Sequence, residues 1–398
     1  MAKDSLPRYL SPVACIFGGI LFGLLIAELG LRYLEWSTIT NQSQLYLFRP
    51  NPNGTGSYRL RTNLSIRFRI GVSSFNLRTN SHGMPWKELS VEKPAGCYRI
   101  AFVGDSFTFG CWAQRMEDNF VGQVETLLTA KNRSLEILNF GVGGYGFDDE
   151  ELLIREEVVR FSPDVIVLCS FNGNDFRDTF LGLKKYDVSQ GTARYSRGAM
   201  DRVPPEFRPP DEEPADASAR GHMPFWSAGS AIYRLQDKSW QAHLAAIESE
   251  PMSPFVPKLL FTEYTFWSYR PLPPVGVRAM EISLDVLGRI QQFSRDHRIG
   301  LMIVTIPFRE QVYSREISGS KYDIRFPQKY VRDFALANHI PYCDLLPALR
   351  RQVTANRPST YLAGDIHFNN IGHRIAGQVI SDWLAQELPR FLSTSTAH

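Results

Sequence analysis

Short apolar runs that alternate with helical patterns constrain the fold of this chain most. Four runs are nearly continuous in apolar residues and rich in branched ones: 100–103, 135–138, 165–169 and 301–306. Such runs are typical of parallel strands that are covered on both faces, whereas a half-exposed strand would alternate. A fainter run at 341–345 adds a fifth. The runs therefore predict a central, parallel, five-stranded sheet.

Amphipathic stretches separate these runs. Apolar side chains share one helical face in 120–128 and in 277–290, and helices are also predicted near 148–150, 326–338 and 372–391. Strands that alternate with helices imply right-handed crossovers, which place helices on both faces of the sheet. We expect an α/β protein with three layers.

The amino terminus carries a different signal. Residues 9–27 are almost all apolar, with Lys3 and Arg8 before them and Glu28, Arg32 and Glu35 after. A helix of this length reaches about 28 Å, close to the thickness of a bilayer core. The leading positive charges predict an uncleaved, single-pass transmembrane anchor in segment 1–35. The rest of the chain would then lie outside the cytoplasm, on the periplasmic side of the inner membrane. A cleaved signal peptide and a buried core helix are the alternatives.

The rest of the chain divides into an extension and a core. Residues 36–97 are polar and rich in turns, and we expect them to pack as strands and loops onto the core at 98–398. An insertion at 176–275 interrupts this core, with a Pro- and acid-rich patch at 204–219 and an aromatic segment at 255–269. Insertions of this length in α/β enzymes commonly form lids or substrate walls.

Composition excludes several classes of protein. The chain is 43% hydrophobic and 21% charged with a net charge of +3, which is typical of a globular protein and gives no electrostatic case for nucleic acid. Its five cysteines are scattered, without the Cys-x-x-Cys spacing of a metal site.

The motif Gly104-Asp105-Ser106-Phe107 follows the first apolar run. A serine between a buried strand and a helix can present its hydroxyl at the sheet edge where α/β proteins bind ligands. Because a serine hydroxyl is a weak nucleophile, it needs a base that takes its proton. Ser106 is the candidate nucleophile, and a plain helix N-cap is the alternative.

The candidate base is His367. Of the eight histidines, it alone follows the last predicted strand in a loop that opens a helix, two residues after a carboxylate, Asp365. Such a carboxylate can accept a hydrogen bond from one ring nitrogen while the other nitrogen faces the serine. We interpret His373, near the start of the last helix, as structural.

Two further loops can supply donors for an oxyanion. The loop at 139–145 contains three glycines, whose backbone N–H groups can approach a ligand closely. It lacks the Gly-x-Gly-x-x-Gly spacing of a nucleotide-binding turn. The segment Asn172-Gly173-Asn174-Asp175 offers the side-chain amide of Asn174. Both loops leave the carboxyl ends of predicted strands, the edge that also holds Ser106.

In this order, the four segments resemble the conserved blocks of the SGNH/GDSL hydrolase superfamily, over 98–175 and 276–398. Residues 78–83 are also similar to the pre-core segment of its membrane-anchored bacterial members. The resemblance implies a flavodoxin-like three-layer fold without a metal or organic cofactor. It also implies catalysis by Ser106, Asp365 and His367, with an oxyanion hole from the N–H groups of Ser106 and Gly144 and the amide of Asn174. Two features depart from the family pattern: Asn172 replaces the usual glycine, and two residues rather than three separate the last acid from the histidine.

These observations predict a membrane-anchored serine esterase that hydrolyses acyl or acetyl esters through an acyl-serine intermediate. The extracytoplasmic address and the aromatic insertion suggest O-acylated polysaccharide as the substrate. An O-acyltransferase that moves the acyl group onto a polysaccharide is one alternative. A non-catalytic glycan-binding protein with the same fold is the other, although binding alone needs no general base.

Overall fold

The structure is a computed structural model of the chain. It describes residues 10–36, 39–40, 47–54, 57–70, 73–111, 113–130, 134–187, 192–196, 198–208, 259–315, 321–354, 359–362 and 365–395.

Twelve strands lie in these residues. In chain order they are β1 (Ile39–Thr40), β2 (Phe48–Pro50), β3 (Tyr58–Leu60), β4 (Ser65–Ile70), β5 (Ser73–Arg78), β6 (Tyr98–Gly104), β7 (Leu135–Gly141), β8 (Val165–Phe171), β9 (Lys185–Asp187), β10 (Thr192–Arg194), β11 (Gly300–Ile306) and β12 (Tyr342–Asp344).

Ten α-helices lie in the same residues. They are α1 (Leu10–Trp36), α2 (Ser106–Phe109), α3 (Phe120–Thr129), α4 (Phe147–Glu156), α5 (Asp175–Leu181), α6 (Pro274–Asp296), α7 (Arg309–Tyr313), α8 (Phe326–Ala337), α9 (Leu346–Thr354) and α10 (Asn370–Ser395). Short 3₁₀ turns lie at Met116–Asp118, Val158–Phe161, Ala199–Arg202, Pro205–Phe207 and Tyr264–Ser268.

The central sheet contains the five predicted strands. Their order is β12-β11-β8-β6-β7, and every neighbouring pair is parallel. Read from the other edge, this is the 2-1-3-4-5 order of the flavodoxin-like doubly wound fold. Both β6 and β8 are buried along their whole length, as the apolar runs 100–103 and 165–169 within them predict. The predicted parallel five-stranded sheet is confirmed.

The helices contact one another in two sets. The first contains α3, α9 and α10, and the second contains α4, α5 and α6. Each predicted helical stripe becomes a helix, with α6 longer at both ends than the stripe and α10 extending through Pro389. Together with the parallel sheet, these helices make the protein an α/β fold.

Helix α1 includes the amino-terminal apolar stretch and continues through Glu28, Arg32 and Glu35. Its large apolar side chains between Ile16 and Leu29 are at least half exposed, so they are not packed in a core. Within the described ranges, no helix combines the length and the apolarity that crossing a membrane requires. The predicted membrane-crossing helix is thus not found among these residues.

The segment before the core packs against it. β2 and β3 form one antiparallel pair, and β4 pairs with β1 and β5. Tyr58 and Leu60 of β3 are buried, and the Trp86 indole donates a hydrogen bond to the carbonyl of Ile137 in β7 at 2.7 Å.

The described parts of the insertion also join the core. β9 and β10 form a hairpin, and Phe261, Phe266 and Trp267 are fully buried. These three aromatic side chains are therefore shielded from water. Residues 209–258, with most of the Pro- and acid-rich patch, lie outside the described residues.

Candidate active site

Ser106 is placed by the turn between β6 and α2. A Cβ at Gly104 would lie 2.2 Å from the Thr108 hydroxyl, so only glycine lets the strand end meet the helix this closely. Asp105 caps the helix by accepting the N–H of Phe107 at 2.9 Å. Ser106 is then the first helical residue, where its own N–H has no intrahelical acceptor. The motif thus directs both its hydroxyl and its N–H to the sheet edge.

A continuous hydrogen-bonded series runs from this hydroxyl. Ser106 Oγ lies 2.8 Å from His367 Nε2, and His367 Nδ1 lies 2.5 Å from Asp365 Oδ1. The same carboxylate oxygen accepts the backbone N–H of His367 at 2.9 Å. Because an ionised carboxylate can only accept, Nδ1 carries the ring proton and Nε2 is left to accept from the serine. The predicted contact between residues 106 and 367 is present.

Distance also decides which group can deprotonate Ser106. Its Oγ lies 3.4 Å from Asp105 Oδ2, well beyond the 2.8 Å to the imidazole. Burial raises the pKa of the Asp105 carboxyl to about 6, against which the hydrogen bond from Phe107 acts. His367 is therefore the better placed base.

The environment of Asp365 favours its charged form. Burial alone would raise its pKa, but hydrogen bonds from the His367 side chain and backbone, together with the charge of a protonated ring, outweigh burial and lower it. The His367 ring packs against Phe107, with 5.1 Å between ring centroids. Its side chain is 13% exposed, so the site stays open to a substrate.

The two loops that could stabilise an oxyanion end at the same sheet edge. β7 and β8 both pair in parallel with β6, so the glycine loop and the segment 172–175 leave their strands beside Ser106. A Cβ at Gly143 would lie 3.8 Å from Ser106 Cβ, and Gly144 has φ +81°. Asn174 is buried, and its Nδ2 donates to Asp178 Oδ2 at 3.1 Å. Since that nitrogen carries two hydrogens, one remains for a ligand.

The other predicted positions have structural surroundings. Asn172 replaces the usual glycine without detaching its loop, because its N–H still donates to the Ile306 carbonyl at 3.2 Å. His373 is buried, and its Nδ1 accepts the N–H of Phe120 at 3.3 Å. Burial lowers the pKa of its ring to about 4.

Sequence reasoning did not identify three residues beside the glycine loop. Tyr58 contacts the carbonyl of Gly143, Lys184 contacts the carbonyl of Gly144, and Asp178 contacts the side-chain amide of Asn174. A signal existed for Asp178, because it lies four residues after Asn174 in a helical segment. Tyr58 and Lys184 lie outside the four motif segments, and nothing local in the sequence marks them.

A bound metal ion would need several ligating side chains close together. Among the described residues, no group of three or more His, Cys, Asp or Glu side chains could hold a metal ion. The cysteines at positions 15, 97, 111, 169 and 343 are unpaired thiols.

Comparison with known proteins gives distant structural similarities only. No family model and no curated protein matches the chain. An acetyl xylan esterase, AlAXEase, is 16% identical with TM-score 0.38, covering 72% of this chain and 98% of its own. A catalytic mutant of Axe2, an acetylxylan esterase from Geobacillus stearothermophilus, is 13% identical with TM-score 0.39, covering 74% and 96%. A GDSL-like lipase from Bacteroides thetaiotaomicron is 12% identical with TM-score 0.36, covering 74% and 92%.

The assembled site brings into contact the Ser106, His367 and Asp365 side chains that the SGNH/GDSL resemblance names. Its nucleophile candidate, base, acid and donor loops all lie at the carboxyl edge of one parallel sheet. Chemically, the arrangement can activate a serine hydroxyl, hold the resulting imidazolium and receive a tetrahedral oxyanion.

Proposed function

We propose that the protein is a serine esterase of the SGNH/GDSL type. The observation that carries this is the uninterrupted series of hydrogen bonds from Ser106 through His367 to Asp365. A binding protein has no need of a base aligned on a serine, whereas nucleophilic catalysis requires one.

The reaction follows from the positions of these groups. Ser106 Oγ attacks the ester carbonyl carbon while its proton passes to His367 Nε2. The N–H groups of Ser106 and Gly144 and the amide of Asn174 stabilise the oxyanion. The tetrahedral intermediate then collapses, the protonated imidazole gives its proton to the departing alcohol, and an acyl-serine remains. Water, deprotonated by His367, attacks this ester and releases the acid and the free serine.

Covalent labelling tests this proposal. A fluorophosphonate probe is expected to add one adduct at Ser106, detectable by intact mass, while the protein hydrolyses p-nitrophenyl acetate. Labelling at another residue, or turnover that persists in Ser106→Ala, would contradict the proposed mechanism.

We propose O-acylated glycans as the class of substrate. Support comes from the aromatic segment of the insertion: the Tyr264 ring lies 6.0 Å from that of Phe171, the residue just before the segment 172–175. Acetate release from acetylated xylan or mannan, compared with the deacetylated polymers, tests this. Acetylated product on an added glycan acceptor would instead identify an acyltransferase.

We also propose that the catalytic domain works outside the cytoplasm. Support comes from Lys3 and Arg8, which precede the apolar stretch as positive charges precede an export signal. An alkaline phosphatase reporter fused after His398 should be active in a bacterial host. An inactive reporter beside an active cytoplasmic control enzyme would refute this location.

A further inference from the structure

We infer that Tyr58, Asp178 and Lys184 position the two oxyanion donors that lie beyond the nucleophile, the Gly144 N–H and the Asn174 amide. This inference rests on the proposed esterase function. None of the three residues belongs to the motif segments, and the contacts described below converge on the two donors from two separate parts of the chain.

Asp178 holds the amide. It lies one turn after Asn174, is 1% exposed, and uses a single carboxylate oxygen for two donors. Its Oδ2 accepts Asn174 Nδ2 at 3.1 Å and Lys184 Nζ at 2.9 Å. Because one amide hydrogen is fixed on this oxygen, the orientation of the second hydrogen is fixed too.

The other oxygen of Asp178 faces a separate pair of donors. Its Oδ1 accepts Arg177 Nε at 2.7 Å and the Tyr195 hydroxyl at 2.6 Å. Burial alone would raise the pKa of this carboxyl, but the charges of Arg177 and Lys184 outweigh burial and lower it to about 2. Arg177 and Lys184 therefore keep this buried carboxylate ionised and paired, so it stays an acceptor for the Asn174 amide.

Tyr58 and Lys184 hold Gly144 from both sides. The Tyr58 hydroxyl donates to the Gly143 carbonyl at 2.6 Å, and Lys184 Nζ donates to the Gly144 carbonyl. The Gly143 carbonyl and the Gly144 N–H belong to one planar peptide group. A donor on that carbonyl therefore orients the N–H and polarises it, which makes it a stronger donor to an oxyanion.

The Tyr58 side chain is rigidly placed for this role. It is 1% exposed and packs edge to face on Phe48 and Tyr145, with centroid distances of 4.6 and 5.1 Å. Burial, with the nearby charge of Asp149, raises the pKa of its hydroxyl well above the usual value, so it remains protonated and able to donate.

The test compares Y58F, K184M and D178N in the full chain. With p-nitrophenyl acetate, kcat should fall about 10- to 100-fold in each variant while KM changes less than about threefold, because positioning acts on the transition state. The inhibition constant of an alkyl boronic acid, which forms a tetrahedral adduct on the serine, should rise by the same factor as kcat falls.

Y342F is the matched control for the tyrosine. It also removes a hydroxyl that is hydrogen-bonded, here to Thr305 at 2.7 Å, but it lies on the edge strand β12. Its kcat and boronic acid affinity should stay within about twofold of wild type. If Y58F leaves kcat and the boronic acid affinity unchanged, or raises KM alone, the inference fails.

A double-mutant cycle separates positioning from a general loss of structure. N174A removes the donor that Asp178 holds, so the kcat loss caused by D178N should shrink severalfold in the N174A background. An equal loss in both backgrounds would show that Asp178 acts through stability alone. S106A keeps the two proposals apart: if it abolishes turnover while Y58F and D178N do not lower kcat, only the positioning inference is overturned.

Discussion

The two halves of the candidate site are built from different kinds of structure. The triad side lies on core elements: Ser106 begins a helix after the central strand β6, and His367 lies three residues before the start of α10. The oxyanion side depends on added segments, since Tyr58 comes from the extension and Lys184 from the insertion. The core thus places the three side chains proposed to exchange protons. The extension and the insertion instead contact the groups proposed to stabilise the oxyanion.

The sharpest test of the triad side removes its reacting atoms. Ser106→Ala and His367→Ala should each lower kcat about 10⁴-fold or more, because neither the nucleophile nor the base has a substitute. The kcat of ester hydrolysis, followed by stopped-flow for wild type and over long times for the slow variants, measures this loss. Ser294→Ala, which removes a buried hydroxyl that has no hydrogen-bond partner among the described residues, is the control with unchanged turnover.

Asp365→Asn should lower kcat less than His367→Ala does, by a factor of about 10². The imidazole remains, but it loses the carboxylate that fixes its tautomer and stabilises its charged form. The ratio of the D365N and H367A rates measures this difference. A larger loss in D365N than in H367A would mean that acid and base are wrongly assigned.

On the oxyanion side, Gly144→Ala should lower kcat about tenfold or more. A side chain is strained at φ +81°, and its Cβ would lie 3.0 Å from the Tyr58 hydroxyl. Gly54→Ala is the matched control, because Gly54 has φ +67° with no atom within 4 Å of a Cβ. Both variants should lose about 1 kcal/mol of stability, but only G144A should lose activity. Equal activity in the two variants would show that Gly144 does not contribute to the oxyanion hole.

The smallest expected effect concerns His373, which lies in α10, the helix that follows His367, and it is an effect on stability rather than on activity. Burial depresses the pKa of His373 to about 4, below the unfolded value near 6.5. The unfolded chain therefore binds the proton more readily, and stability present above pH 6.5 is lost as the pH falls towards 4. Between pH 7.5 and 4.5, urea unfolding should show wild type losing about 2 kcal/mol more than His373→Gln. An identical pH dependence in both proteins would contradict this, and kcat at pH 7.5 should be similar in the two.

Sequence predicts the core and the triad well, because both are encoded locally. Apolar runs specify β6, β7, β8 and β11, and a serine after one strand meets a histidine after another once parallel strands share an edge. The extent of α1 was not predicted, since apolarity alone does not show where a helix ends. Tyr58 and Lys184 could not be predicted either, because their roles arise only when segments distant in sequence meet at Gly144.

The hydroxyl of Tyr58 on the Gly143 carbonyl has a practical consequence for anyone who wishes to transplant this chemistry. A fragment trimmed to begin at residue 98 would keep Ser106, His367 and Asp365. It would lack the Tyr58 hydroxyl, which orients the peptide group between Gly143 and Gly144. Such a fragment should still accept a phosphonate label but turn over esters sluggishly. The smallest portable unit therefore starts upstream of β3.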